Sequence, residues 1–374
     1  MAALTAPFDP AWLSRLGGDL TMLTNVQVTG TGLDLVTLDV VDGTVTYDED
    51  TAPHVAASLS VRVPEQQATL DLLDARLRRR VEITTGYRIP GVSESHPLCS
   101  LLLRSRVVNR PSNLMTLTAV SDELLVQEKV PVVNEKSYDA TVPAGEAIRD
   151  LIAWTVPDPT IIIDPAIQVP FVQPADSYAV TRGEPIWSAI QDIADRVGAW
   201  VYSDGLSTFH IVAQPLTAGP ATAIFKVGAQ GTITRSQADL NREEFANLVL
   251  VTYSWYDGEQ RTARGWAEIA TGPYSTTATD IRVKPVAIDR KGSAADAQAA
   301  AENIVRRTVT RGRGLSIEFD HAPWWVRPGH TVTVQLPTGE PARHLVRRVD
   351  FDIPSGRGHI TTRQPEDVAI TTGE

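Results

Sequence analysis

Residues 40–63 read VVDGTVTYDEDTAPHVAASLSVRV, and this stretch predicts the class of fold. Apolar residues stand at every second position from Leu59 to Val63, which is the spacing of a strand with one buried face and one face in water. Asp42 and Gly43 lie between two short apolar runs and are typical of a two-residue turn between antiparallel strands. We therefore expect an antiparallel sheet, with a hairpin turn at Asp42-Gly43.

The same alternation continues on both sides of this stretch. Val26 and Val28 lie on one face of a strand that precedes it. Further strands are predicted at residues 81–85, 100–107 and 114–120, with turns at residues 86–95 and 109–113. Residues 65–77 predict a short helix or turn, because Leu70, Leu73 and Leu77 fall on one helical face.

The middle of the chain predicts a smaller unit of helices and strands. A helix is predicted at residues 144–154. Residues 185–197 give the clearest helix, because Pro185 suits a first-turn position and Gly198 suits the position past the end. A β-hairpin is predicted directly after it, at residues 199–212.

The last part of the chain returns to β structure. Strands are predicted at residues 248–255, 266–270, 281–288, 315–319, 330–336 and 344–353. One helix interrupts them, because Ser293 and Asp296 have the spacing of a capping box and an apolar face follows. The chain is therefore predicted to be mainly β, with an α+β insert between two β-rich parts.

These patterns divide the chain into five segments. We expect an N-terminal arm at residues 1–24, β-rich domains at residues 25–135 and 221–363, a small α+β domain at residues 136–220, and a flexible tail at residues 364–374. The second β-rich domain contains the helix that begins at Ser293. A chain of 374 residues suits two or three compact domains.

Composition and charge exclude several classes of function. There are 34 Lys and Arg against 45 Asp and Glu, so the formal net charge of -11 opposes general binding to nucleic acid. The single cysteine, Cys99, cannot form an intramolecular disulfide, and its apolar surroundings predict a buried, unreactive thiol. The sequence shows no membrane span and no secretory signal, so we expect a protein that folds in the cytoplasm without a membrane anchor.

The sequence offers no residues that we would select as catalytic, cofactor-binding or metal-binding. Seven histidines are scattered singly: His54, His96, His210, His321, His330, His344 and His359. Converging zinc ligands need closer spacing than this. Asp192 and Asp195 form a carboxylate pair on the clearest helix, but such pairs are common by chance among 45 acidic residues. No catalytic site, metal or cofactor is therefore predicted.

Two further features each allow more than one interpretation. Arg76, Arg78, Arg79 and Arg80 form a basic cluster, which suits contact with nucleic acid or an acidic partner, although a solvated segment edge is favoured. Trp324-Trp325 could stack on sugars, belong to the core, or lie in a subunit interface.

Three stretches, in this order, resemble one family. The first stretch is VDGTVTYDED at residues 41–50 with ASLSV at 57–61. The second is IWSAIQDIA at 186–194 with the hairpin after it. The third is NR at 241–242 and NLVLV at 247–251 with WVRPGHTV at 325–332. The first is similar to the opening hairpin of minor tail proteins from siphophages of actinobacteria. The second and third are similar to a helix-hairpin unit and to the C-terminal half of phage tail hub proteins.

The resemblance implies a baseplate, or tail-tip, hub with two tail-tube-like antiparallel β-barrels flanking a small helix-hairpin domain. It implies a homotrimer that connects the six-fold tail tube, or a distal tail protein, above to three-fold tip, fibre or spike proteins below. The tape measure protein is a further expected partner, and DNA is a transient passenger. Such a protein is a structural component of the virion, assembled in the host cytoplasm, and not an enzyme.

Two other functions stay open at this point. A tail-tip cell-wall or glycan hydrolase would use some of the scattered carboxylates, and a receptor-binding or carbohydrate-binding module would use Trp324-Trp325. Under the hub interpretation, an acidic wall lets DNA pass without binding, because it repels phosphate groups. The residues that face the channel are not assigned by the sequence.

Overall fold

The computed structural model describes residues 20–30, 33–132, 135–174, 176–228, 231–240, 245–309, 313–364 and 369–373. Strands make up 48% of the chain and helices 16%, so the predicted mainly β class is confirmed. None of the helices in these ranges is long and apolar enough to cross a membrane. Most of the predicted N-terminal arm, residues 1–19, lies outside the described residues, as does Asn241-Arg242.

The first part of the chain contains β1 (Thr21–Gly30), β2 (Leu33–Thr37), β3 (Val40–Asp48), β4 (Val55–Arg62), α1 (Gln67–Leu72), a 3-10 turn (Ala75–Leu77), β5 (Arg80–Ile89), β6 (Val92–Asn109), β7 (Leu114–Val120) and α2 (Glu123–Gln127). The middle contains β8 (Lys136–Asp139), α3 (Ala144–Ala153), β9 (Thr160–Ile163), a 3-10 turn (Pro165–Ile167), β10 (Ser177–Val180), α4 (Ile186–Val197), β11 (Ala199–Ser203) and β12 (Thr208–Ala213). The last part contains β13 (Ala223–Lys226), β14 (Ile233–Leu240), β15 (Leu248–Tyr256), β16 (Gln260–Ile269), β17 (Val283–Ile288), α5 (Ala294–Val309), β18 (Arg313–Phe319), β19 (Thr331–Gln335), β20 (Ala342–Asp352), β21 (Gly358–Arg363) and β22 (Ile370–Gly373).

One large sheet joins strands from both ends of the chain. Its order is β14-β18-β21-β20-β3-β4-β7-β6-β5-β1-β2, and β19 and β13 attach beside β20. In the middle of this order β20 pairs antiparallel with β3, with Arg348 opposite Asp48 and Asp352 opposite Thr44. The two β-rich parts of the sequence are therefore connected through one sheet, which we call the main sheet.

The inner face of the main sheet is apolar and encloses one core. Tyr47 of β3 and Phe351 of β20 lie with ring centroids 6.0 Å apart, and Trp324 lies 5.0 Å from Phe351. The Tyr47 hydroxyl donates a hydrogen bond of 2.7 Å to the carbonyl oxygen of Leu98, which satisfies its only polar atom in the core. Residues from both parts of the sequence thus bury each other, and each fully buried large side chain contributes about 1.5–3 kcal/mol.

The predicted hairpin turn at Asp42-Gly43 is wrong, because β3 runs through both residues. Gly43 lies opposite Leu59 of β4. A Cβ atom at position 43 would lie 2.6 Å from the backbone oxygen of Ser58. Glycine is therefore required here by the close approach of the neighbouring strand, and not by the positive φ of a turn.

The turn predicted at residues 86–95 is much shorter in the structure. β5 and β6 continue until only Pro90 and Gly91 separate them, and Gly91 has the positive φ of 81° that suits such a turn. Gly86 lies within β5, where a Cβ atom would come 2.0 Å from the backbone oxygen of Glu94. A glycine within a strand was again mistaken for a turn.

The middle unit has its own core around α4. This helix begins after Pro185 and ends before Gly198, which has a positive φ of 67°, so the predicted limits are confirmed. Ile190 and Ile193 of α4 are fully buried and belong to the same core as Phe209 of β12. β11 and β12 pair antiparallel, as the predicted hairpin requires, and β9 adds to β12 in parallel.

A separate sheet with the order β17-β15-β16-β22 carries α5 on one face. The Ser293 hydroxyl accepts a hydrogen bond from the backbone N–H of Asp296 at 3.1 Å, and the Asp296 carboxylate accepts one from the N–H of Ser293 at 2.9 Å. The predicted capping box is therefore confirmed. The helix and three of these strands lie inside the range predicted as the second β-rich domain, whose boundaries stay a prediction. β22 lies beyond that range, in the segment predicted as a flexible tail, where residues 370–373 instead pair with β16.

Buried charges connect the middle unit to the unit of α5. Asp192 of α4 pairs with Arg196 at 3.2 Å and with Arg290 at 3.1 Å, and it accepts a hydrogen bond of 2.6 Å from the Tyr253 hydroxyl. Arg290 also pairs with Glu184. Loss of one partner from such a cluster leaves a buried charge uncompensated and costs about 3–5 kcal/mol.

A buried carboxylate connects the middle unit to the main sheet. Glu123 accepts hydrogen bonds from the backbone N–H groups of His54 at 3.1 Å and Ser203 at 2.8 Å. The ring of His54 lies 5.2 Å from that of Trp200. Burial raises the pKa of Glu123 and lowers the pKa of His54 to about 4, so His54 is neutral at pH 7.

We predict that Ile190→Asp unfolds the middle unit. Ile190 has no exposed surface, so an aspartate there places an unpaired charge in an apolar core, at a cost of about 3–5 kcal/mol. Thermal denaturation followed by tryptophan fluorescence measures the effect. Gln191→Asp on the exposed side of the same helix is the control and should keep the wild-type Tm. A wild-type Tm for Ile190→Asp would mean that another side of α4 faces the core.

Candidate functional site

The outer face of the main sheet is lined by small hydroxyl side chains. In β3 the side chains of Val45 and Tyr47 point into the core, so those of Thr44 and Thr46 lie on the opposite face. The same alternation in β4 and β7 completes a set of six hydroxyl residues: Thr44, Thr46, Ser58, Ser60, Thr116 and Thr118. We call this surface the hydroxyl face.

Strand register arranges these hydroxyl groups in rows across the sheet. Thr44 lies opposite Ser58, and Ser58 lies opposite Thr118 on the other side of β4. Ser60 and Thr116 form the next pair. Residues that are directly opposite in an antiparallel pair share one face, so short polar side chains cover three adjacent strands continuously. These three strands therefore present mainly short polar side chains on this face.

Carboxylates extend this face across the joint between β3 and β20. Arg348 lies between two of them, 2.8 Å from Asp350 and 3.7 Å from Asp48. Burial by itself would raise the pKa of Asp350, but hydrogen bonds from its neighbours outweigh it and lower the pKa to about 2. The pKa of Asp352 is raised by burial and by the negative charges of Asp350 and Asp42. Two carboxylates pair with Arg348 and two more, Asp352 and Asp42, lie close enough to interact with each other, so this part of the face is acidic.

The face also contains a serine, a histidine and an aspartate in series. The hydroxyl of Ser316 in β18 lies 2.7 Å from Nε2 of His359 in β21. Nδ1 of His359 lies 3.3 Å from a carboxylate oxygen of Asp350. This is the order of groups in a serine hydrolase triad, in which histidine activates the hydroxyl and aspartate orients the histidine. The sequence does not reveal this arrangement, because the three residues meet only through the register of β18, β21 and β20.

The surroundings of Ser316 do not suit acyl transfer. Ser316 lies opposite Gln237 of β14 on one side and Thr361 of β21 on the other. The backbone N–H groups of this strand are therefore used in two ladders, whereas an oxyanion hole needs free N–H groups that point to the reacting carbonyl. A nucleophilic serine is usually held on a sharp turn for this reason. The series of hydrogen bonds is better explained as a polar link across the sheet.

The residues that the sequence singled out do not form a site. Trp324 and Trp325 are 2% and 6% exposed and belong to the core of the main sheet, so they offer no platform for sugars. Cys99 is buried, as predicted, and burial raises its pKa to about 12, which disfavours the reactive thiolate. Asp192 and Asp195 are engaged in ion pairs with arginines.

Three arginines of the basic cluster make local contacts, and the histidines do not gather into a metal site. Arg76 pairs with Asp74, Arg79 donates to the carbonyl oxygen of Leu72, and Arg80 pairs with Asp122. These three arginines are therefore engaged in separate local contacts. Within the described ranges, no group of three or more His, Cys, Asp or Glu side chains could hold a metal ion.

Solved structures that share this fold include phage tail proteins. The tail protein from Neisseria meningitidis MC58 matches with a TM-score of 0.62 at 15% identity, over 91% of this chain and 96% of that chain. The 43 kDa tail protein of prophage MuSo2 from Shewanella oneidensis matches with a TM-score of 0.58 at 10% identity, over 91% and 98%. A prophage tail protein from Listeria monocytogenes matches with a TM-score of 0.51 at 11% identity, over 92% and 95%.

No protein-family model matches the chain, and no curated protein matches it in sequence. The structural similarity to the tail proteins nevertheless spans almost the full length of both compared chains in each case. At these identities it establishes the fold, and the chain therefore has the fold of phage tail proteins. The hydroxyl face is part of that fold.

We predict that Ser316 is chemically unreactive. A fluorophosphonate probe phosphonylates a serine hydroxyl, with loss of fluoride, only where a base and an oxyanion hole act together. Ser316 has His359 as a base but no oxyanion hole. Mass spectrometry of the probe-treated protein should find no adduct at Ser316, while a known serine hydrolase in the same tube is labelled. An adduct that disappears in His359→Ala would instead establish Ser316 as a nucleophile and favour the hydrolase function.

Proposed function

We propose that the chain is a structural phage tail protein that forms a trimeric hub at the tail tip. The observation that carries this proposal is the fold, which the chain shares with tail proteins over more than nine-tenths of its length. The three sequence stretches that resemble tail hub proteins support the finer assignment to a hub. On this proposal the protein is part of the virion, is assembled in the host cytoplasm, and catalyses no reaction.

The hydroxyl face is the surface that we assign to the DNA channel. DNA binds proteins mainly through phosphate contacts with Lys and Arg, and each such contact releases counterions. The hydroxyl face places Thr and Ser where those cations would be, and Asp350 and Asp352 lie beside it. A duplex that passes this wall therefore meets few groups that bind phosphate, and it slides without being held.

The partners follow from the symmetry of a tail tip. Three copies around one axis, each with two β-rich parts, present six similar units to a six-fold tail tube or distal tail protein above. The same three copies match three-fold tip, fibre or spike proteins below, and the tape measure protein enters from within. Closed rings of identical subunits need complementary surfaces rather than a catalytic pocket.

The two other candidate functions have weaker support. A carbohydrate-binding module would need exposed aromatic side chains, but Trp324 and Trp325 are buried. A hydrolase would need an oxyanion hole beside Ser316, where the sheet ladders occupy the backbone N–H groups.

The number of copies tests the hub proposal directly. Native mass spectrometry of the purified protein, and the symmetry of its density in intact tails, should both give three copies. A protein that is monomeric in a complete tail tip, or that is present in six copies, would contradict the proposal. Hydrolysis of purified peptidoglycan by the trimer would favour the enzyme instead.

We predict that arginines on the hydroxyl face make the ring retain DNA. Ser58→Arg with Thr116→Arg adds two cations per copy at positions that face the channel on this proposal, so duplex DNA should bind at low salt and be released at high salt. Fluorescence anisotropy of a labelled duplex measures the binding. Ser188→Arg with Gln191→Arg, on the exposed side of α4, adds the same charge elsewhere and is the control. Equal binding by both variants would place the channel on another surface.

A further inference from the structure

A cleft beside α4 is bounded by all three units of the protein. It has a volume of about 670 Å³ and is lined by residues of the loop between β3 and β4, of α4 and β11, and of β17 and α5. We call it the α4 cleft. Ligand sites commonly have volumes of roughly 300–1,000 Å³. The α4 cleft is therefore large enough for a few residues of a peptide, and an occupant that fills it contacts all three units.

The carboxylates that line the α4 cleft already have partners. Five of the six pair with an arginine: Glu49 with Arg363, Asp50 with Arg347, Glu184 and Asp192 with Arg290, and Asp195 with Arg307. The sixth, Asp289, is exposed to water and accepts a hydrogen bond of 3.4 Å from the Ser254 hydroxyl. These groups do not require a cation from outside.

Lys284 of β17 lines the same cleft and differs from the arginines. In the described part of the chain, its ammonium group has no hydrogen bond and no ion pair. Burial lowers the pKa of Lys284, and the nearby positive charge of Arg307 lowers it further. Asp195 attracts both cations, so two positive charges share one carboxylate at this point. The place beside Lys284 and Arg307 thus favours one additional negative group.

The surface around these two cations is partly apolar. Pro185 at the start of α4 and Val286, Ala287 and Ile288 of β17 line the α4 cleft. Pro185 and Ala287 are exposed, and the two larger side chains are only partly covered. A ligand that matches the α4 cleft therefore combines one negative group with apolar groups beside it.

We infer that the α4 cleft binds a peptide segment of another protein, with an Asp or Glu carboxylate placed against Lys284 and Arg307. Apolar residues on either side of that carboxylate would pack against Pro185 and the side chains of β17. Phosphate or nucleic acid matches less well, because its additional negative charge would meet Asp50 and Asp289 in the same wall. The inference goes beyond the proposed function, since it does not depend on the number of copies.

Binding of short peptides tests the chemistry of the α4 cleft. The probe is a panel of fluorescein-labelled hexapeptides with one aspartate or glutamate among apolar residues, each with its asparagine or glutamine analogue. Fluorescence anisotropy should identify peptides whose acid form binds at least about tenfold tighter than the amide form, because only the acid makes a charge-assisted contact. A panel in which no peptide binds, or in which both forms bind equally, would overturn the inference.

Variants of one lysine locate the binding. Lys284→Gln should lose the preference for the acid form, and Lys284→Arg should keep it. Lys226→Gln removes the same charge from an exposed position on β13, outside the α4 cleft, and should bind like the wild type. An unchanged preference in Lys284→Gln would overturn the inference. Displacement of the peptide by an equal concentration of acetate would overturn the peptide ligand in favour of a small anion.

Photo-cross-linking in intact tails identifies the source of the segment. Ser188 is exposed and lines the α4 cleft, so Ser188→p-benzoylphenylalanine places the reactive group there. Mass spectrometry should find a linked peptide of another tail protein that contains Asp or Glu. A link to a second copy of this chain, a linked peptide without an acidic residue, or no link would overturn the inference.

Native mass spectrometry separates this inference from the hub proposal. A monomer that binds the acidic peptides would contradict the hub and leave the inference in place. A trimer that binds none of them would overturn the inference and leave the hub in place.

Discussion

The pairing of β3 with β20 is the interaction on which the rest of the structure depends. The two strands are about 300 residues apart in sequence, and the Thr46 hydroxyl donates a hydrogen bond of 2.6 Å to the Asp350 carboxylate across them. Just beyond β3, Glu49 pairs with Arg363 at 2.7 Å, and both side chains are 1% exposed. Without this joint the chain would have two short sheets, each with another open edge and an incomplete core. With it, the outer face of the main sheet, which carries the hydroxyl face, is continuous from β14 to β6.

The loop between β3 and β4 also fixes the other units around this joint. His54 in that loop contacts Trp200 of the middle unit, and its backbone N–H donates to Glu123. The middle unit is in turn connected to the unit of α5 through Asp192 and Arg290. These contacts use buried charges and hydrogen bonds, which tolerate little change of geometry, rather than large apolar surfaces. The orientation of each unit to the main sheet is thereby specified as well as stabilised.

The sequence predicts the features that depend on neighbouring residues and misses those that depend on distant ones. Pro185, Gly198 and the pair Ser293 and Asp296 act within one or two turns of helix, so the limits of α4 and the start of α5 could be predicted. Gly43 was misread because a turn and a close strand approach both need glycine, and only the position of β4 distinguishes them. The alternating Thr and Ser residues of the hydroxyl face were visible, but their meeting across strands depends on register, which a single sequence does not give.

With the structure in hand, the net charge of -11 says less about how the protein acts on DNA than it does for the sequence alone. Several acidic residues are paired inside the protein, such as Glu49 with Arg363 and Asp192 with Arg196. Their charges are neutralised by the partner and do not repel DNA at the surface. Screening also limits each exposed charge to about 10 Å, so DNA responds to the wall beside it and not to the total. On the proposed channel function, the relevant feature of the hydroxyl face is that Ser and Thr occupy positions where Lys or Arg would bind phosphate. On the proposed function, this face can thus be a non-adhesive channel wall because short hydroxyl side chains predominate on it and Arg348 is paired with Asp350, with carboxylates adding repulsion near β20.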